Sequence, residues 1–135
     1  MILTYKNTIK LFIGLLLIVT LFHLSIMVKI IPYNIAWGGR LTNDNEMYVF
    51  ESISIFVNVF LSWILLMKGN FVKFKFSTRI VKIILWLFFV LFILNTVGNI
   101  FAKTNFEKYF TLLTGLFAIL TWKILKQKAT ANRTK

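Results

Sequence analysis

The chain has 135 residues, 59% of them hydrophobic, 17% aromatic and only 15% charged, and it carries a net charge of +12. A soluble domain is about 45–50% apolar and roughly a quarter charged, so fifteen Phe and four Trp at a mean hydropathy of +0.80 describe an integral membrane protein. With no cysteine, one histidine (His23) and four acids (Asp44, Glu46, Glu51, Glu107), the sequence excludes disulfides, thiolate catalysis, cysteine-held clusters and any His-rich metal centre, and no cofactor or metal is expected.

A hydrocarbon core of about 30 Å requires roughly 20 apolar residues in a helix. The first span is predicted over residues 11–31, with Pro32 ending it. Lys6 and Lys10 before it resemble the basic start of a signal peptide, but the apolar run is too long and no small-residue cleavage site follows. It is read as a retained span.

The connection from Pro32 to Glu46 holds Tyr33 and Trp37, which suit the membrane interface. Gly38-Gly39 permits a turn with positive φ, and Arg40 follows it. Two readings stand: an interfacial loop anchored by aromatics, or a lid whose Trp37 and Arg40 meet an anion or an internal carboxylate. Asn43-Asp44-Asn45-Glu46, and later Thr104-Asn105-Phe106-Glu107, have capping-box spacing, which gives Glu46 and Glu107 a structural role at helix N-termini.

The second span is predicted over 47–67 and contains Glu51. Starting the helix after Glu51 leaves only Ile53 to Met67, about 22 Å of helix and too short to cross. Glu51 therefore belongs to the span, where an acid usually faces protein. Ser54, Asn58 and Ser62 lie within about 60° of it on the helical wheel, forming one polar stripe. Such a stripe serves either as hydrogen-bonding glue between helices or as the wall of a site.

Residues 68–79 alternate Lys with Phe, a pattern suited to the layer of anionic head groups rather than to nucleic acid. The third span, 80–101, carries Asn95 and Asn99 near its end. The fourth, 109–125, has a face of Thr111, Thr114, Gly115 and Ala118 that allows close helix approach. The segment 127–135 is read as a mobile basic tail.

Twelve basic residues lie in the N-terminal segment, the 68–82 region and the C-terminal segment, against four (Lys29, Arg40, Lys103, Lys108) on the other side. The positive-inside rule then places both termini in the cytoplasm. The expected fold is all-α: one domain of four antiparallel transmembrane helices with short connections. Abundant Lys, Asn, Ile and Phe suggest an AT-rich bacterial genome and hence an inner membrane. Small multidrug exporters also combine four spans with a membrane glutamate, but theirs lies in the first span, which here holds no acid.

Most intramembrane polarity falls in the outer half. His23 lies about 18 Å along the helix from Leu11, at a depth similar to Glu51, Asn95 and Asn99. This predicts a polar cavity lined by His23, Glu51, Asn58, Asn95 and Asn99, with Glu51 and His23 able to exchange a proton near neutral pH. Lys29 or Arg40 is the alternative partner for Glu51. The expected function is binding or transport of a small or amphipathic ligand. The other reading is a non-catalytic accessory or assembly subunit of a larger membrane complex; a homo-oligomer is expected for the first reading and a membrane partner protein for the second. Nothing resembling a nucleophile, metal set or cofactor motif supports an enzyme.

Overall fold

The computed structural model describes residues 4–36, 39–73, 75–102 and 104–131, the last four of these by backbone alone. Four helices occupy most of that length: α1 (Tyr5–Met27), α2 (Asp44–Lys68), α3 (Thr78–Ile100) and α4 (Asn105–Ala131). All four are long and apolar enough to cross a membrane. Among the described residues, a 3₁₀ turn at Tyr33–Ile35 lies in the α1–α2 connection.

The helices extend beyond the apolar runs at several ends because polar caps, rather than hydropathy, terminate them. Thr4 and Ser77 accept from the backbone N–H groups of Asn7 and Ile80, satisfying donors that α1 and α3 would otherwise leave unpaired. Asn43 does the same for Glu46 at 2.9 Å. The expected return contact from Glu46 goes one residue further back, to the N–H and hydroxyl of Thr42. At α4, Thr104 accepts from the Glu107 N–H, while its hydroxyl donates to the Glu107 carboxylate at 2.7 Å.

The end of α1 corrects a sequence expectation. The helix stops at Met27, well before Pro32. Lys29 adopts φ 63°, with Lys29 N–H donating to Ile26 O and Ile30 N–H to Ser25 O, both at 2.9 Å. These paired bonds close the last turn in a Schellman motif, in which the left-handed position is usually glycine. The end of α2 repeats it with Asn70 at φ 60°, bonded to Met67 O, and Phe71 N–H bonded to Leu66 O. Pro32 thus follows a helix already ended by backbone geometry. At the other end of the chain, α4 continues to Ala131, so helix covers part of the segment read as a tail.

Packing is most extensive between α3 and α4, next between α1 and α2, with lesser α1–α4 and α2–α3 contact. Tyr5 at the start of α1 donates its hydroxyl to the Lys68 carbonyl at the end of α2. Helical spacing of three and four assembles the main core: Ile9, Phe12 and Leu16; Leu61, Ile64 and Leu65; Val81, Leu85, Phe88 and Phe92; Phe117, Leu120 and Ile124. The rings of Phe12, Phe92 and Phe117 meet at centroid distances of 5.1 to 6.1 Å. All of this lies in the half where α1 begins and α2 ends, here termed the basic half.

The far half has a smaller cluster of Ile26, Ala36, Leu41 and Met47, so the α1–α2 connection folds two side chains back onto the helix ends. Outside these cores the helices expose large apolar side chains all round, among them Leu17, Phe56, Leu87, Leu94 and Leu112. In lipid such exposure carries no hydrophobic penalty.

Candidate functional site

Between the two cores, α1 and α2 bring together the two residues with the least local means of satisfying themselves. His23 Nδ1 lies 2.5 Å from Glu51 Oε2. Two lone pairs cannot sit that close, so a proton lies between them, on imidazole nitrogen or on carboxyl oxygen. Glu51 is fully buried, at 0% side-chain exposure, whereas His23 retains 17%. The carboxylate is sealed, and the imidazole is the member of the pair with access to its surroundings. His23 also packs edge-on against Phe22, whose ring meets Phe106 and Phe110 of α4.

The sequence stripe on α2 divides in the structure. Ser54 and Ser62 donate to the carbonyls of Phe50 and Asn58, four residues back on their own helix. This is the ordinary way for a hydroxyl to be satisfied within a membrane helix, and Thr20, Ser25, Thr96, Thr114 and Thr121 do the same. Among the described residues neither serine has a hydrogen bond to another helix. Asn58 differs: two turns from Glu51 on the same face, its Nδ2 is buried without a hydrogen-bond partner among the described residues.

Other candidates are dispersed. Asn99 reaches Thr114 on α4 at 3.5 Å, beside a 3.0 Å contact between Thr96 and Thr114. Asn95 is on the exposed face of α3 and is not gathered at the pair. Lys29 is committed to Asp44 at 2.5 Å rather than to Glu51, and this hydrogen bond, then the charge of Asp44, raises its pKa above the ordinary 10.5. Arg40 is exposed; Trp37 and Gly38 lie outside the described residues. Gly39 has φ 69°, as a glycine turn there requires.

Two clefts lie away from the pair. One, about 410 Å³, is lined by Ile26, Lys29, Pro32 and Tyr33 at the end of α1. The other lies between α3 and α4. Sequence reasoning missed the second cleft, along with the buried Lys68, because neither follows from one helix considered alone. Among the described residues no group of three or more His, Cys, Asp or Glu could hold a metal.

No protein-family model matches the chain, and neither the curated proteins nor the solved structures searched contain a match.

Proposed function

We propose that the chain is a bundle of four antiparallel transmembrane helices in a bacterial inner membrane, with both termini in the cytoplasm. The twelve-to-four distribution of basic residues supports this orientation. The pairing of Tyr5 with Lys68 and of His23 with Glu51 supports opposite directions for α1 and α2. In this bundle the outer half binds or transports a small or amphipathic ligand, and a proton held by His23 and Glu51 is coupled to it.

The observation that carries the reading is the pair itself. A buried carboxylate is costly in lipid and usually has a functional reason or a designated partner. Because Glu51 is sealed and His23 is not, proton exchange runs through the imidazole. A ligand that competes for His23 changes the proton affinity of the pair, and by linkage the proton changes the affinity for the ligand. Asn58, with its unpartnered amide, extends the polar face inward from the pair.

His23 is the sole histidine, so ¹⁵N-histidine labelling reports one imidazole. In phosphatidylcholine vesicles its Nδ1 resonance reports the proton that lies between His23 and Glu51. Glu51→Gln is expected to alter the Nδ1 resonance. The same variant is expected to abolish exchange of ethidium, an amphipathic probe, against an imposed pH gradient while accumulating normally. Unchanged His23 resonances and unchanged ethidium behaviour in Glu51→Gln would remove the proton-coupled reading.

The alternative, a non-catalytic accessory subunit of a larger membrane complex or a homo-oligomer, is favoured by Asn95. Its carboxamide lies on an exposed face beside Leu91 and Leu94, where lipid tails offer no hydrogen bond. A photocrosslinker at position 95 is expected to capture protein under that reading, and only lipid otherwise.

A further inference from the structure

The cleft between α3 and α4 has a volume of about 280 Å³ and an almost wholly apolar lining. Phe89, Ile93 and Thr96 form one wall; Gly115, Ala118 and Trp122 form the other. It spans about 10 Å along α4, from Gly115 to Trp122. The absence of a side chain at Gly115 keeps it open: a Cβ there would meet only Thr96 Cγ2, at 3.8 Å. The Thr96 hydroxyl is already turned to Phe92 O and Thr114, which leaves its methyl to the groove.

The groove leads toward charge. Two turns before Phe89, on the same face of α3, is Lys82; one turn after Trp122, on the same face of α4, is Lys126. Both are exposed. Lys126 Nζ lies 4.2 Å from the Trp122 ring centroid, so the ammonium and the indole form the corner of the cleft. Trp86, in contact with Phe89, stands at the same level on α3. Paired Trp residues with Lys just beyond them are the arrangement expected where a bilayer passes from tails to head groups.

The basic half contains no counter-charge of its own. The four acids of the sequence lie at positions 44, 46, 51 and 107, all toward the far half. Among the described residues neither Lys82 nor Lys126 has a carboxylate within ion-pair distance. Among the described residues no acid faces these two lysines, so this end suits an anion from outside the chain. A second copy would bring the same lysines to this end and repel.

We propose that this cleft is a binding site for an anionic phospholipid, with one acyl chain in the groove and the phosphate held between Lys82 and Lys126. The site is separate from the His23–Glu51 pair and does not depend on its function.

The test is native mass spectrometry of the delipidated full chain titrated with phosphatidylglycerol or phosphatidylcholine. The first phosphatidylglycerol is expected to bind roughly 25-fold more tightly, since each of the two lysines contributes about a factor of five. Lys82→Gln with Lys126→Gln is expected to erase the preference. Gly115→Leu, which fills the groove without moving backbone, is expected to weaken first-site binding several-fold at an unchanged melting temperature. Equal affinity for the two lipids overturns the proposal. So does a preference that Gly115→Leu leaves intact, which describes a basic surface without a groove. A dimer that Gly115→Leu dissociates assigns the cleft to a second copy and overturns it as well.

Discussion

The α1–α2 and α3–α4 contacts both carry polar groups through an apolar setting, in opposite ways. Between α3 and α4 the groups are mainly hydroxyls, and Thr96 and Thr114 each bond a carbonyl of their own helix before touching one another. Between α1 and α2 the groups are an imidazole and a carboxylate, and the carboxylate is completely buried. A threonine can be satisfied within one helix and treats its neighbour as an addition. A carboxylate cannot donate to the carbonyls of its own helix, and Glu51 bonds His23 of α1, so its burial ties two helices together. One contact is adhesive; the other is obligate.

The largest effect that sharpens this contrast is removal of the imidazole. His23→Leu is expected to destabilise by about 3–5 kcal/mol, because it takes from the fully buried Glu51 carboxyl its bond to the imidazole. Unfolding in mixed detergent and dodecyl sulfate micelles measures it. Glu51→Gln, which keeps the shape and removes the charge, is expected to lose much less. Equal losses in the two variants would mean that the contact is one of packing alone.

Next comes the hydroxyl pair. A double-mutant cycle of Thr96→Val and Thr114→Val is expected to give a coupling near 0.6 kcal/mol, the average for such contacts in membrane proteins. A coupling above about 2 kcal/mol would erase the distinction between the two interfaces. Ser62→Ala is expected to change stability by only a few tenths of a kcal/mol, since a bond to the preceding turn slightly disfavours straight helix.

The smallest effect concerns the ion pair of Lys29 and Asp44, which lies outside the spans and is half exposed. Asp44 raises the pKa of Lys29 above 10.5, so the stabilisation is fully present below that value and lost as pH rises through the higher folded-state pKa. A slight alkaline softening in thermal melts is expected for wild type and not for Asp44→Asn. Lys29→Gly is expected to be neutral or mildly stabilising below pH 10, because relief of the left-handed strain, about 1 kcal/mol, offsets a weak surface pair.

Much of this architecture is legible in the chain. Apolar runs of sufficient length identify all four helices, even where Glu51 or Lys82 interrupts them, and depth counted along the helices brings His23 and Glu51 to one level. The Thr and Gly face of α4 lies at a helix contact, where Thr114 and Gly115 meet Thr96, although the sequence does not name α3 as the partner. Helix ends are less legible, because Lys29 and Asn70 take positions where glycine is the usual signal. The polar stripe is misleading at Ser54 and Ser62, since a helical wheel cannot show that a hydroxyl turns back to its own carbonyl. Nor can it show which face of α3 meets α4, and this leaves Asn95 exposed and Asn99 beside Thr114.

The unequal division of the core has a consequence for how the molecule opens. Among the described residues, sixteen buried apolar side chains knit the basic half, against four beneath the α1–α2 connection. Local opening follows the sparser packing, so amide deuterium exchange is expected to penetrate from the far half and stall near Leu16 and Leu61. The protein is then a clamp with a fixed base and compliant jaws, and His23 and Glu51 sit where the jaws begin.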